Sequence, residues 1–329
     1  MKLRLLKYLV CPACDGTNAL TCIGDAIEEE IETGELTCSA CATRYPVRGG
    51  IPRFVPETNY ADSFGYQWNL FSRTQLDEYW GSPISEQRFK GETRWPTDLA
   101  GELILEAGCG MGRFTAHAAA TGAELISIDY SSAIDAARRN NAGRSNVHFV
   151  QADIYKLPFR RELFDRVFCF GVLQHCPDPK QAFLSLVPLL KRGGAIVVDV
   201  YRLWWRTLFF GSYYLRVFTK GRPPGKLFPW VRRYFTAMYA LTGAVRRISP
   251  RLAGRLSMLS GIADYRGVFD IPEKRMNELC LLDTFDHLSP AHDHPQTLGA
   301  VKKWVEEAGL IDTAVHLGYN GIEAHGRRR

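Results

Sequence analysis

Short apolar runs separated by amphipathic stretches fill the middle of the chain. Residues 103–107, 124–128, 147–151, 164–170 and 194–201 read as strands. Between them lie helices over 113–120 and around Ala136-Ala-Arg-Arg, the latter with Ser131 and Ser132 as N-caps. Near the C-terminal end, 298–308 is a helix started by Thr297 and stopped by Gly309. Residues 311–318 and 320–325 pair as a closing hairpin. Strands alternating with helices predict an α/β, doubly wound, mostly parallel sheet.

The first strand runs into Glu106-Ala-Gly108-Cys-Gly110-Met-Gly112-Arg-Phe. Glycines at alternate positions let backbone approach a ligand, since no Cβ intervenes. No lysine follows, so this is not a phosphate loop, and the spacing departs from G-x-G-x-x-G. The second strand ends in Asp129, 21 positions after Gly108, where an acid can take both hydroxyls of a ribose. The third ends in Ala152-Asp153-Ile154, and the fourth leads into a Phe170-Gly-Val-Leu-Gln-His175-Cys-Pro segment.

Four such strand ends in this order resemble the class I S-adenosylmethionine-dependent methyltransferases, including the type 11 and ubiquinone-biosynthesis-like members. The resemblance covers residues 100–200 well. It implies a seven-stranded Rossmann-like sheet with S-adenosyl-L-methionine at its carboxyl edge. Glu106, Gly108, Gly110 and Gly112 would cradle the amino-acid half of that cofactor. Asp129 would hold the ribose, Tyr130 or Ile154 would pack on the adenine, Asp153 would accept from its amine, and Phe170 would complete the wall. His175 is the candidate base; ordering of its loop or a bond to the substrate is the other reading. Tyr66 and Trp68, in the aromatic segment before the first strand, and His287, His292 and His294, in a predicted loop over 283–297, are substrate candidates. Metal ligation by His287, His292, Asp293 and His294 is a further reading.

Two C-x-x-C pairs stand near the start, Cys11/Cys14 and Cys38/Cys41. Four thiolates at this spacing suit tetrahedral, structural Zn2+. The following Arg44-Tyr-Pro-Val-Arg-Gly-Gly-Ile-Pro-Arg-Phe resembles the Trm112-like zinc-ribbon family, whose members activate or stabilise methyltransferases as separate subunits. Here the ribbon is fused in front of one. The expected organisation is a ribbon over 1–56, a helical cap over 57–100 and a methyltransferase domain over 101–329, with a helical insert at 201–263.

Composition adds two points. The opening MKLRLLKYLV is too short for a signal peptide, and reduced thiols fit a cytoplasmic protein. The net charge of +6 is local: 201–263 holds twelve Lys or Arg and no acid, leaving 29 basic against 35 acidic residues elsewhere. Apolar residues go nearly all round its first helical stretch. Three readings stay open: a lid over the acceptor, an interfacial segment at a membrane surface suited to a lipid-like acceptor, and a nucleic-acid surface. No run is a spanning helix. The expected function is methyl transfer to a small-molecule or lipid-like metabolite by direct in-line transfer. The alternatives are an RNA methyltransferase and a non-catalytic, cofactor-binding scaffold. The C-terminal arginines, 327–329, are expected to fray.

Overall fold

The computed structural model describes residues 1–16, 19–27 and 29–329, with the side chains of 25–27, 206 and 208 outside that description. A four-stranded antiparallel sheet comes first, in the order β1 (Leu20–Ile27), β2 (Glu30–Cys38), β3 (Arg44–Arg48), β4 (Ile51–Pro52). Helices α1 (Asp62–Leu70), α2 (Asp77–Trp80) and α3 (Ile84–Thr93) follow. The last stops ahead of Trp95-Pro96, because proline drives its predecessor out of helical geometry.

The second sheet has seven strands: β5 (Leu103–Ala107), β6 (Glu124–Asp129), β7 (Val147–Gln151), β8 (Phe164–Cys169), β9 (Leu190–Val200), β10 (Ile311–Leu317) and β11 (Ile322–Arg327). Their spatial order is β10-β11-β9-β8-β5-β6-β7. The first five run parallel, and β11 is antiparallel to both of its neighbours. All residues of β5 and β7 are buried, as strands covered on both faces must be. Leu103, Leu105 and Ala107 point into one core with Phe183 and Trp304. Those two come from α6 (Pro179–Leu186) and α11 (Leu298–Glu307). Ile104 points into the other core, against α4 (Thr115–Ala119), α5 (Ile134–Asn140) and Phe89 of α3.

The two sheets share a core. Leu5, Leu9, Ile31 and Leu36 of the N-terminal module belong to the same apolar cluster as Ile126 and Val150. The module covers β7, an edge strand with unpaired backbone groups. Phe54 N–H donates to Gln151 O at 2.8 Å, and Val10 N–H to Pro158 O at 2.9 Å. Arg53 binds Asp135 at 2.6 Å and Gln151 Oε1 at 2.9 Å. Lys2 Nζ donates to the carbonyls of Arg144, Ser145 and Val147.

After β9 come α7 (Gly211–Thr219), α8 (Pro224–Ile248), α9 (Pro250–Ser260) and α10 (Glu273–Leu288). Two expectations need correction. Residues 283–288 are the last turns of α10, not a loop. Leu279, Cys280, Leu282, Phe285 and Leu288 are buried on that helix, and their packing outweighs the turn-forming residues beyond it. The C-terminal arginines are held: Arg327 lies in β11, Arg328 N–H donates to Gly194 O at 2.9 Å, and its guanidinium meets Glu162 at 2.7 Å.

Candidate active site

The carboxyl ends of β5, β6, β8 and β9 open onto a cavity of about 600 Å3. Its near wall is the glycine turn. Gly108 has φ +78°, and a Cβ there would lie 2.3 Å from Val172 Cγ2, so a side chain is excluded by backbone conformation and by space. Gly110 has φ +54° and sits under the Trp68 indole, whose Nε1 is 3.4 Å from where its Cβ would be.

Asp129, at the end of β6, props this turn. Its Oδ2 accepts the Gly110 N–H at 2.8 Å, and its Oδ1 accepts the Ser131 N–H at 2.8 Å and hydroxyl at 2.7 Å. Burial pushes the Asp129 carboxyl up despite these donors. Ser131 also accepts from Ala133 N–H at 3.1 Å, so it serves the start of α5 and the acid together, with no side-chain cap from Ser132.

Glu106 lies beneath the turn. Thr115 and Ser127 hydroxyls both donate to its Oε2 at 2.6 Å, while its Oε1 is buried without a partner. Burial lifts this carboxyl to about 7. Asp129, Tyr130, Ile154, Phe170, Gly108 and Gly110 line the cavity. Gly112 and Asp153 do not. A Cβ on Gly112 would meet Ala137 Cα at 3.1 Å, so this glycine lets the turn approach α5. Asp153 Oδ1 accepts the Tyr155 N–H at 2.9 Å.

The far wall comes from α10 and the segment after β8. His175 lines the cavity, and its Nδ1 lies 3.1 Å from the His292 carbonyl. A carbonyl can only accept, so Nδ1 carries a proton, and in the neutral ring Nε2 is the acceptor. Asp283, Asp286 and His287, one turn of α10, also line it. Burial and the Asp286 charge lift the Asp283 carboxyl to about 7, and the Tyr265 hydroxyl donates to it. Gln67 Nε2 donates to Asp286 Oδ1 at 3.1 Å. Burial holds His287 below the usual imidazole range.

The other substrate candidates are placed differently. Trp68 lines the cavity, whereas Tyr66 packs on Phe228 and Phe285 in a separate apolar cluster. His292 packs edge-on against Tyr60, and His294 N–H donates to Gln174 O; neither lines the cavity. The sequence pattern gave no weight to Arg113, Asp283 and Asp286. Arg113 lines the cavity with its guanidinium on Ser85 Oγ at 2.8 Å and Gln75 Oε1 at 3.1 Å, neither of them a carboxylate. Burial lowers it to about 10. An arginine directly after the glycine turn was the available signal. The two acids show only once α10 folds them to one side.

In the N-terminal module, Cys11, Cys14, Cys38 and Cys41 bring four sulfurs within 4.8 Å of one another. The Cys11–Cys41 and Cys14–Cys38 separations are both 3.7 Å. Tetrahedral zinc with bonds of about 2.3 Å requires edges of about 3.8 Å, so the donor set fits that ion. Tyr45 OH lies 3.2 Å from Cys11 Sγ and Thr43 Oγ1 3.1 Å from Cys41 Sγ, which orients both thiols.

This sheet order, with a glycine turn and an acid at the carboxyl ends of β5 and β6, is a Rossmann-like core. Residues 105–198 match the family model described as a methyltransferase domain, and residues 2–50 match that of the Trm112p-like proteins. A demethylmenaquinone methyltransferase of Clavibacter sepedonicus is 37% identical over 107 residues, covering 32% of this chain and 44% of the relative. A ubiquinone biosynthesis O-methyltransferase of Coxiella burnetii is 25% identical over 158 residues, 44% of this chain and 68% of the relative. A tRNA U34 carboxymethyltransferase of Pseudomonas paraeruginosa is 34% identical over 134 residues, 39% and 40% respectively. The chain thus spans less than half the length of the first of these relatives.

Proposed function

We propose that the protein transfers a methyl group from S-adenosylmethionine to a small-molecule or lipid-like acceptor. The observation that carries this reading is one cavity joining the glycine turn and Asp129 to His175, Asp283, Asp286 and His287. Its volume is in the range of small-molecule sites. A polar far wall suits an acceptor bearing O–H or N–H. The demethylmenaquinone and ubiquinone relatives support a small acceptor, while the tRNA relative keeps RNA as the competing class.

The residues present fit the cofactor. The bare turn at Gly108 and Gly110 admits its amino-acid part, and Asp129 Oδ2, with one donor, has capacity for a ribose hydroxyl. Arg113 would take its carboxylate. Bound there, S-adenosylmethionine supplies an activated methyl on a sulfonium. The chain then aligns the acceptor in line and removes its proton. His175 Nε2 would receive that proton. Asp286, held by Gln67, would fix the acceptor.

The test is transfer of labelled methyl from S-adenosylmethionine into host extract split into RNA, protein, lipid and small-molecule pools. Label in the lipid or small-molecule pool is expected. Label confined to RNA would overturn the acceptor assignment, and none at all, with cofactor bound, would overturn the catalytic one.

A further inference from the structure

A surface helix ordinarily turns its apolar stripe inward. Helix α7 does the reverse. Gly211, Ser212, Arg216 and Thr219 are its buried residues. Apart from Leu215, which packs on the cluster of Leu227, Val231, Phe285 and Leu288, the inner face is held by polar contacts: Arg216 Nη1 to Asp293 Oδ2 at 2.7 Å, Arg216 Nη2 to Pro290 O at 2.9 Å, and Thr219 Oγ1 to Leu288 O at 2.6 Å. Phe210, Tyr214, Val217 and Phe218 face solvent at i, i+4, i+7 and i+8, with Val217 67% and Phe218 71% exposed. Helix α9 repeats the inversion. Ala253, Ser257 and Ser260 are buried, whereas Leu252 and Leu259 are exposed.

The two helices adjoin. A Cβ on Gly211 would lie 1.9 Å from Leu259 O, so their backbones touch there. Basic residues border the apolar face. Lys220 and Arg222 follow α7 directly and are exposed, and Arg222 Nε donates to Phe218 O at 2.7 Å. Arg251 and Arg255 are exposed on α9. No acid occurs anywhere in 201–263. Exposed aromatic and aliphatic side chains bordered by cations, without an acid, match the boundary between anionic headgroups and acyl chains. No helix among the described residues is long and apolar enough to cross a membrane. The contact therefore lies in the plane of the surface.

We infer that the outward faces of α7 and α9 form a docking surface for an anionic lipid bilayer, into which Phe210, Tyr214, Val217 and Phe218 insert while Lys220, Arg222, Arg251 and Arg255 meet the headgroups. The surface adjoins the cavity. His287, which lines the cavity, bonds the backbone of Gly261, and Gly261 packs on Ser212 of α7. Docking there brings the far wall close to the bilayer.

The test is flotation of the full chain with vesicles of equal parts phosphatidylglycerol and phosphatidylcholine, against phosphatidylcholine alone. Binding is expected to the anionic vesicles and to fall at raised salt. The exposed pair Val217→Ser/Phe218→Ser should reduce it more than tenfold. Lys220→Gln/Arg222→Gln should reduce it about fivefold per charge. Both variants should keep the unaltered protein's far-ultraviolet dichroism and cofactor binding, which separates this inference from the methyl-transfer reading. Absence of vesicle binding, or binding indifferent to the serine pair, would overturn it. So would a dimer in sedimentation that the serine pair dissolves, or RNA binding without vesicle binding.

Discussion

Asp129 holds the site together at the residue scale. Its oxygens take three donors from the turn and the start of α5, so it positions the Gly110 backbone and faces the cavity at once. Asp129→Ala should abolish S-adenosylmethionine binding in calorimetry; unchanged binding would move the ribose elsewhere. Asp283 gives a pH signature. Its carboxyl rises from 3.8 to about 7 in the fold, mainly by burial. The folded state therefore keeps a proton that the unfolded chain has released across that window. Stability falls as pH rises between those values and levels off above the upper one. Glu106, at about 7, adds a slope of the same sign. Asp283→Asn should flatten the decline in urea midpoint over this range, and an unaltered slope would refute the assignment.

The zinc site belongs to the scale of elements. The two cysteine pairs flank the β1–β2 hairpin, and a module this small gains much of its stability from closing such a site. Elemental analysis should find about one zinc per chain. Cys38→Ser or a strong chelator should raise protease cleavage within 1–56. A metal-free protein with the same resistance would remove the ion from the account. Helix α10 shows how elements decide a site. Asp283, Asp286 and His287 reach one cavity because i, i+3 and i+4 share a helical face.

For the whole molecule, the N-terminal sheet and the methyltransferase core are one packed body. Arg53 ties them through Asp135 and Gln151, close to the main-chain bond from Phe54 to Gln151. Arg53→Ala leaves a partly buried carboxylate without its cation and should cost about 1–3 kcal/mol. Thermal unfolding would show one transition at lower temperature. Two separate transitions would mean that the modules come apart first, and an unshifted one would deny Arg53 its role.

The sequence by itself determined the strand ends. Glu106, Gly108, Gly110 and Asp129 are legible because local apolar runs stop at them, and a glycine turn has a short-range steric reason. The cysteine pairs are legible for the same reason, since each knuckle is one tight turn. Tertiary structure alone decided which far residues meet them. Tyr66 and Trp68 differ by two positions on α1, yet only Trp68 lines the cavity. Packing of Tyr66 on Phe228 and Phe285 fixes that choice, across more than 150 residues of chain. The insert follows the same rule. Its composition announces a helix that is apolar nearly all round, but which face is buried depends on Arg216 finding Asp293, an ion pair that no local pattern encodes.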